Sequence, residues 1–382
     1  MTLRARTWLL VATVSVLALA IGAYRFHHDR LAWDPDGTIY LRLTLQDRGA
    51  TPDAARREAN AYVRTLPAAA DPEAAGFYTD APPAFYAGQF ALYRSRPLYP
   101  LAVSLLYPRL GPDAMRAVEA AGYVASVVLM MLFLLRFTGP ALAAIGALAL
   151  ATSPWVLEMA AMPEPDDVAL ALWIAALWAL YEYFGRPAPS RLLTVVAVTA
   201  VLTFVRPAVF LPFGAALGVF IGAPRGSAAR TAARNAALAI FGVGVAFGLY
   251  TLLVHGPGIA EQMRWLYDWQ TAVHGRFTGH GFLVWWAGAV AFNLALGAVV
   301  ETYRHAALFA IVLAVFGWIA ARRTLVAPLA LGGLGAAVFA LLVNPTELNR
   351  TVTLPLTPIV VLLATIALST LAARLRGSEA AV

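Results

Sequence analysis

Apolar stretches of about the length of a bilayer-crossing helix recur along this chain from residue 7 to residue 373, separated by short Arg-bearing or acidic turns. With 60% hydrophobic and 13% charged residues, the chain is too apolar for a soluble enzyme, in which about a quarter of the residues are charged. The expected fold class is an all-α polytopic membrane protein, a single transmembrane domain over residues 1–382 with no separate soluble domain. All 28 basic residues are Arg, and together with the abundant Ala this points to a GC-rich bacterial genome. No Cys is present, which excludes disulfides, thiolate chemistry and Cys-based metal sites. The Arg residues are dispersed along the chain, so nucleic acid is not an expected partner.

Residues 7–24 follow Arg4 and Arg6 and form the first crossing, with the N-terminus in the cytoplasm. A cleaved signal peptide is the competing reading, with Ala18, Leu19 and Ala20 as its small-residue site. Residues 25–114 change character, mixing ten acidic residues and ten Arg with Pro and Tyr; they are read as a large extracytoplasmic loop. Within it Thr51 and Pro52 open a capped helix over 53–66, and the apolar run 98–107 is too short to cross and reads as interfacial. Crossings are expected at 115–135, 141–157 and 168–184, then two short helices, 192–205 and 208–221, meeting at Arg206 and Pro207. Arg225, Arg230 and Arg234 form the strongest basic turn and belong inside. Residues 236–254 lead out to a further external and interfacial region, 255–303, whose segment 282–300 lies along the interface. Crossings at 305–321, 325–343 and 352–373 complete about ten, with both termini cytoplasmic.

Under this topology Asp34, Asp36, Arg96, Glu158, Glu164, Asp166, Asp167, Arg206, Glu347 and Arg350 collect near the outer face. Charges at a bilayer boundary read first as functional, with snorkelling to the headgroups as the standing alternative. Asp34 and Asp36 also suit a turn or a helix cap, and Glu164, Asp166 and Asp167 suit the N-terminal turn of the following helix. Arg206 and Arg350 suit headgroup anchors as well as phosphate ligands. His27, His28, His255, His274 and His280 fit no metal-ligand spacing, while Trp265, Trp269, Trp285 and Trp286 read as an interfacial aromatic belt. The sequon at 349–351 is read as chance.

These residues, in this order, resemble the GT-C superfamily of polytopic glycosyltransferases, among them protein O-mannosyltransferases and lipid A aminoarabinose transferases. Asp36 and Tyr40 match the Asp-Glu-x-x-Tyr motif of the first loop, with Gly37 in place of the Glu and Asp34 as a candidate second acid. Arg96, Pro97, Leu98 and Tyr99 resemble the Lys/His-Pro-Pro-Leu element. Met162, Pro163, Glu164, Pro165 and Asp166 resemble the acidic second-loop element, Arg206 and Pro207 the Arg-Pro junction, and Arg350 with Pro355 the Arg near the last helix. The resemblance implies a sugar taken from a polyprenyl-phosphate carrier in the bacterial inner membrane, with the active site facing the periplasm.

Its chemistry suits the residues. A carboxylate accepts the acceptor's proton, Arg forks bind the phosphate leaving group, and a single inverting displacement needs only one base. Asp36, assisted by Asp34, would be that base. Tyr40, Arg96, Tyr99, Glu164, Asp166, Asp167, Arg206 and Arg350 would bind substrate. No particular cofactor is implied, a divalent metal is left open, and neither sugar nor acceptor is specified. Two other classes stay open: an envelope polysaccharide polymerase or ligase with lipid-linked donors, and a transporter or flippase, which would put charges and broken helices at mid-bilayer.

Overall fold

The structure, a computed structural model, describes residues 3–28, 33, 35–67, 90–160, 162–272, 281–304, 307–345 and 354–379. Asp34, Glu347, Arg350, His274, His280 and the sequon at 349–351 lie outside them. Among the described residues the regular structure is helical and contains no strand.

Among the described residues helix α1 (Leu3–His28) is followed in the polar region by α2 (Pro35–Asp47), α3 (Pro52–Val63) and α4 (Leu98–Leu110). The main bundle then runs through α5 (Asp113–Leu134), α6 (Pro140–Ala151), α7 (Pro154–Met159), α8 (Asp166–Gly185), α9 (Pro189–Val205), α10 (Phe210–Gly222) and α11 (Ala228–Leu253). Helices α12 (Ile259–Ala272), α13 (Phe282–Arg304), α14 (Ala307–Ala321), α15 (Val326–Val343) and α16 (Leu354–Glu379) complete the order. Six helical stretches among the described residues are long and apolar enough to cross a membrane: Arg4–His28, Asp113–Leu134, Asp166–Gly185, Ala228–Leu253, Val326–Val343 and Pro355–Leu375. The chain is a multi-pass membrane protein. The apolar side chains that α11 leaves exposed, among them Leu238, Phe241, Val245 and Leu249, suit a lipid-facing surface.

Local chemistry explains most boundaries. The expected capped helix is α3: the Thr51 side chain accepts a hydrogen bond from the Ala54 N–H at 3.3 Å, and Pro52 occupies the first helical position, where no intrahelical N–H bond is needed. The stretch 141–157, expected as one crossing, is two helices instead. Pro154 has no N–H and disfavours helical backbone at Ser153, whose ψ is 124°, so α6 stops at Ala151 and α7 restarts at Pro154. Twelve residues rise only about 18 Å, less than the hydrocarbon thickness.

Two cores hold the chain together. The larger runs through the main bundle and includes Trp173, Phe133 and Leu180. The smaller belongs to the polar region, where Trp33, Ile39, Tyr40, Ala59, Tyr99 and Val103 pack with Ala114 and Met115 at the start of α5. Helix α2 thus rests on α3 and α4, and α4 on α5. This second core fixes α2 against a membrane-length helix.

Helix α10 packs backbone to backbone against α15. Gly214, Gly218 and Gly222 recur every four residues on one face of α10, opposite Pro328, Gly332 and Ala336 of α15. A Cβ at Gly218 would overlap the Pro328 carbonyl and lie 2.7 Å from the Gly332 Cα, so the backbones meet as in other small-residue membrane interfaces. Gly218→Val is expected to destabilise the protein by about 3 kcal/mol. Thermal melting in detergent checks this, with Gly242→Val as the control that stays unchanged, because a Cβ at Gly242 has no neighbour within 4 Å.

Candidate active site

Asp36 lies in the first turn of α2, where the helix dipole favours a carboxylate. Tyr40 is one turn further along, so both emerge on one face. A helical turn over 90–94 packs against that face. Its Tyr93 hydroxyl donates a hydrogen bond to Asp36 Oδ2. Arg96, just beyond the turn, donates from Nη1 to the Tyr40 hydroxyl at 3.0 Å, and its guanidinium carbon lies 4.5 Å from the Tyr93 ring centroid. Pro97 then leads into α4, whose Tyr99 donates to the Met115 carbonyl at 3.4 Å. The Tyr40 ring is held edge-on between Tyr93 and Tyr99, with centroids 4.8 and 5.0 Å away.

This packing sets which groups can exchange protons. Burial pushes the Tyr40 hydroxyl up to about 12 despite the opposing Arg96 charge. Burial and the Asp36 carboxylate drive Tyr93 well above its usual value, and burial with Glu119 does the same for Tyr99. All three are neutral phenols at physiological pH. Burial works against the Arg96 charge, but the oxygens of Tyr40, Tyr93 and Asp36 hold its guanidinium above its usual range. Arg96 is a fixed cation.

The second acidic element docks on the first. A Cβ at Gly37 would lie 2.6 Å from Pro163 Cγ and 3.2 Å from Trp33 Cε2, so α2 and the turn before α8 touch at a glycine. Trp33 is itself fastened by a 3.0 Å hydrogen bond from Nε1 to Thr38 Oγ1. Glu164, in the docked turn, is 2% exposed. Asp166, in the first turn of α8, forms an ion pair with Arg206. Arg206 ends α9 because it precedes Pro207: its backbone is extended, at φ −146° and ψ 132°, which breaks the helix and turns the side chain towards α8.

Arg96, Asp166 and Arg206 line one cavity of about 480 Å³. Its walls are mainly apolar and include Leu170, Trp173, Phe247 and Phe339, with Gln262 and Asn344 among the polar groups. Pro355, beside the expected position of the last Arg element, also lines it and accepts a 3.0 Å hydrogen bond from Trp173 Nε1. Asp36 is not on the wall; it is tied to Arg96 through Tyr93 and Tyr40. No model of a known family, no characterised protein and no solved structure matches this chain. Its own geometry is therefore the basis for any functional reading.

Of the residues expected in the site, Asp36, Tyr40, Arg96 and Tyr99 form one cluster, and Asp166 and Arg206 join Arg96 at the cavity. Asp167 is set apart. It is fully buried, its N–H donates to Glu119 Oε2 of α5 at 2.9 Å, and neither carboxylate oxygen has a hydrogen-bond partner among the described residues. Gly122 makes this approach possible, since a Cβ there would meet the Val168 nitrogen at 2.5 Å. Glu119 therefore acts as a cap donated by a neighbouring helix. Sequence reasoning passed over Glu119 and Tyr93. A Glu and an Arg one turn apart, Arg116 and Glu119, inside an apolar span were a usable signal, whereas nothing local distinguishes Tyr93. Among the described residues no group of three His, Cys, Asp or Glu side chains is placed to hold a metal ion.

Proposed function

We propose that this protein is an inverting glycosyltransferase of GT-C type that moves a sugar from a polyprenyl-phosphate donor to an acceptor at the outer face of a bacterial inner membrane. The supporting observation is that Arg96 and Arg206 share an apolar-walled cavity and that Arg96 is joined to Asp36 through Tyr40 and Tyr93. The donor's phosphate binds between the two guanidinium groups, and its lipid chain follows the apolar wall towards the bilayer. The acceptor oxygen attacks the anomeric carbon, the carbon–oxygen bond to phosphate breaks with its electron pair going to the phosphate, and Asp36 takes the acceptor's proton. The Arg charges stabilise the phosphate as it leaves. About ten crossings, with both termini cytoplasmic, put the polar region 25–114 and the Arg206–Pro207 junction on the outer side. Arg350 is a third phosphate ligand in this reading, and Asp34 a second acid.

The test uses purified protein in lipid nanodiscs with a panel of synthetic polyprenyl phosphate hexoses and pentoses. Sugar transfer or release of free polyprenyl phosphate is expected from at least one donor, and none from any donor overturns the reading. Arg206→Lys keeps the charge but loses the planar fork, and it is expected to raise the donor KM about tenfold. An unchanged KM removes Arg206 from the phosphate site.

A further inference from the structure

Helix α11 closes in a turn that brings the next segment to the cavity wall. The Gly256 N–H donates to the Thr251 carbonyl at 2.7 Å and the His255 N–H to the Leu252 carbonyl at 3.1 Å, with His255 at φ 56°. Gly256, Pro257 and Gly258, then Ile259 and Gln262 of α12, thereby line the same cavity as Arg96 and Arg206. Gln262 donates from Nε2 to the Pro257 carbonyl at 2.9 Å. A carbonyl only accepts, so the amide nitrogen must be the end that meets Pro257. The other end, Oε1, is not enclosed and has no hydrogen-bond partner among the described residues.

Two other neutral side chains of the wall are used in the same way. Ser95 donates from Oγ to the Leu92 carbonyl at 2.6 Å, and Thr251 donates from Oγ1 to the Phe247 carbonyl at 2.9 Å. A hydroxyl has one proton to give, so what each has left is lone pairs. These three side chains therefore offer acceptors, while the two guanidinium groups offer donors. A ligand that satisfies both carries an anionic group and, a short distance from it, hydroxyls that donate. A phosphate esterified to a sugar is such a ligand, whereas a lipid phosphate alone meets only the cationic part. We infer that Gln262 is a specificity-determining residue whose Oε1 accepts a hydrogen bond from a hydroxyl of the donor sugar. The inference rests on the reading of this cavity as a polyprenyl-phosphate site. A few placed polar groups on an apolar wall are what orient a ligand, and an acceptor placed for a hydroxyl discriminates against the analogue that lacks it.

The test measures binding to the full chain in nanodiscs. Tritiated polyprenyl phosphate, which has no sugar, is bound directly, and the hexosyl and pentosyl diesters of the same lipid compete with it. Gln262→Met removes the amide and keeps the length of the side chain. It is expected to weaken the tightest-binding sugar diester about tenfold, the size of one lost hydrogen bond, and to leave the sugar-free lipid phosphate unchanged. Monodeoxy analogues of that diester are then compared on native protein. One of them is expected to bind about tenfold more weakly than its parent and to lose nothing further in Gln262→Met, because the same bond is missing from both sides. Equal effects of Gln262→Met on the sugar diester and on the sugar-free lipid overturn the inference, as do losses that add. If Gln262→Met fails to fold, the deoxy series on native protein decides, and a series in which every member binds like the parent overturns the inference. Binding of the sugar-free lipid phosphate in that case keeps the cavity as a lipid-phosphate site. No saturable binding of the tritiated lipid or of any diester overturns that reading and the inference with it.

Discussion

Asp36→Asn is expected to lower transfer by about a thousandfold while leaving the fold unchanged, the size of effect associated with losing a positioned general base. The expectation follows from what Asn keeps. Its side-chain oxygen still accepts the Tyr93 hydrogen bond, its shape still fits the first turn of α2, and Gly37 still seats against Pro163. Only the capacity to take a proton is removed. Because Tyr40, Tyr93 and Tyr99 are neutral phenols, no neighbour in the aromatic cluster can replace it. Asp36→Glu, which restores the charge but displaces it by one methylene, is expected to recover part of the rate. Turnover of Asp36→Asn within tenfold of the native protein, in a variant that elutes as a single species and melts normally, would assign the proposed base elsewhere. Glu164 would then be next to test, since it is buried in the turn docked on α2.

What could be read in the sequence was whatever is encoded locally. Thr51 and Pro52 set the start of α3 by a side-chain bond and a fixed φ, both within four residues. Arg206 ends α9 because the next residue is Pro, another neighbour effect. The apolar spans are legible because each must be apolar along its own length. The grouping of Asp36 and Tyr40 has the same character, being one helical turn. The break inside 141–157 was legible in principle, because Ser153 precedes Pro154, but the apolar character of the whole stretch outweighed a single punctuating residue.

The remainder depends on contacts between distant segments. Tyr93 is one of four aromatic residues in the short run from Phe85 to Tyr93, and only the packing of that turn on α2 singles it out. Glu119 looks like an isolated charge in an apolar span until Gly122 lets the start of α8 come within reach of it. Gly214, Gly218 and Gly222 are visible as a four-residue repeat, yet their role depends on Gly332 more than a hundred residues later. The cavity is of the same kind. Arg96 and Arg206 are 110 positions apart, and they share a wall because the polar region has its own core, seated on the start of α5.

Gly37→Glu is expected to abolish transfer, with a loss of at least a hundredfold, although it restores the residue found in the motif that this stretch resembles. The reason is the space available. The Cβ alone would be 2.6 Å from the Pro163 ring, which cannot swing aside, and 3.2 Å from the buried Trp33 indole. A glutamate must therefore push the turn 162–165 away from α2, and that turn leads directly into Asp166 and its ion pair with Arg206. A displacement of about an ångström between base and phosphate ligands is enough for a loss of this size. Gly37→Ala, which adds only the clashing carbon, is expected to show a smaller loss. A lower melting temperature is expected with the glutamate, because Trp33 on one side of the contact belongs to the core of the polar region, so transfer is compared at a temperature where both variants remain folded. Full activity in Gly37→Glu would mean that the two acidic segments separate during turnover, and that the contact at Gly37 belongs to a resting state rather than the working one.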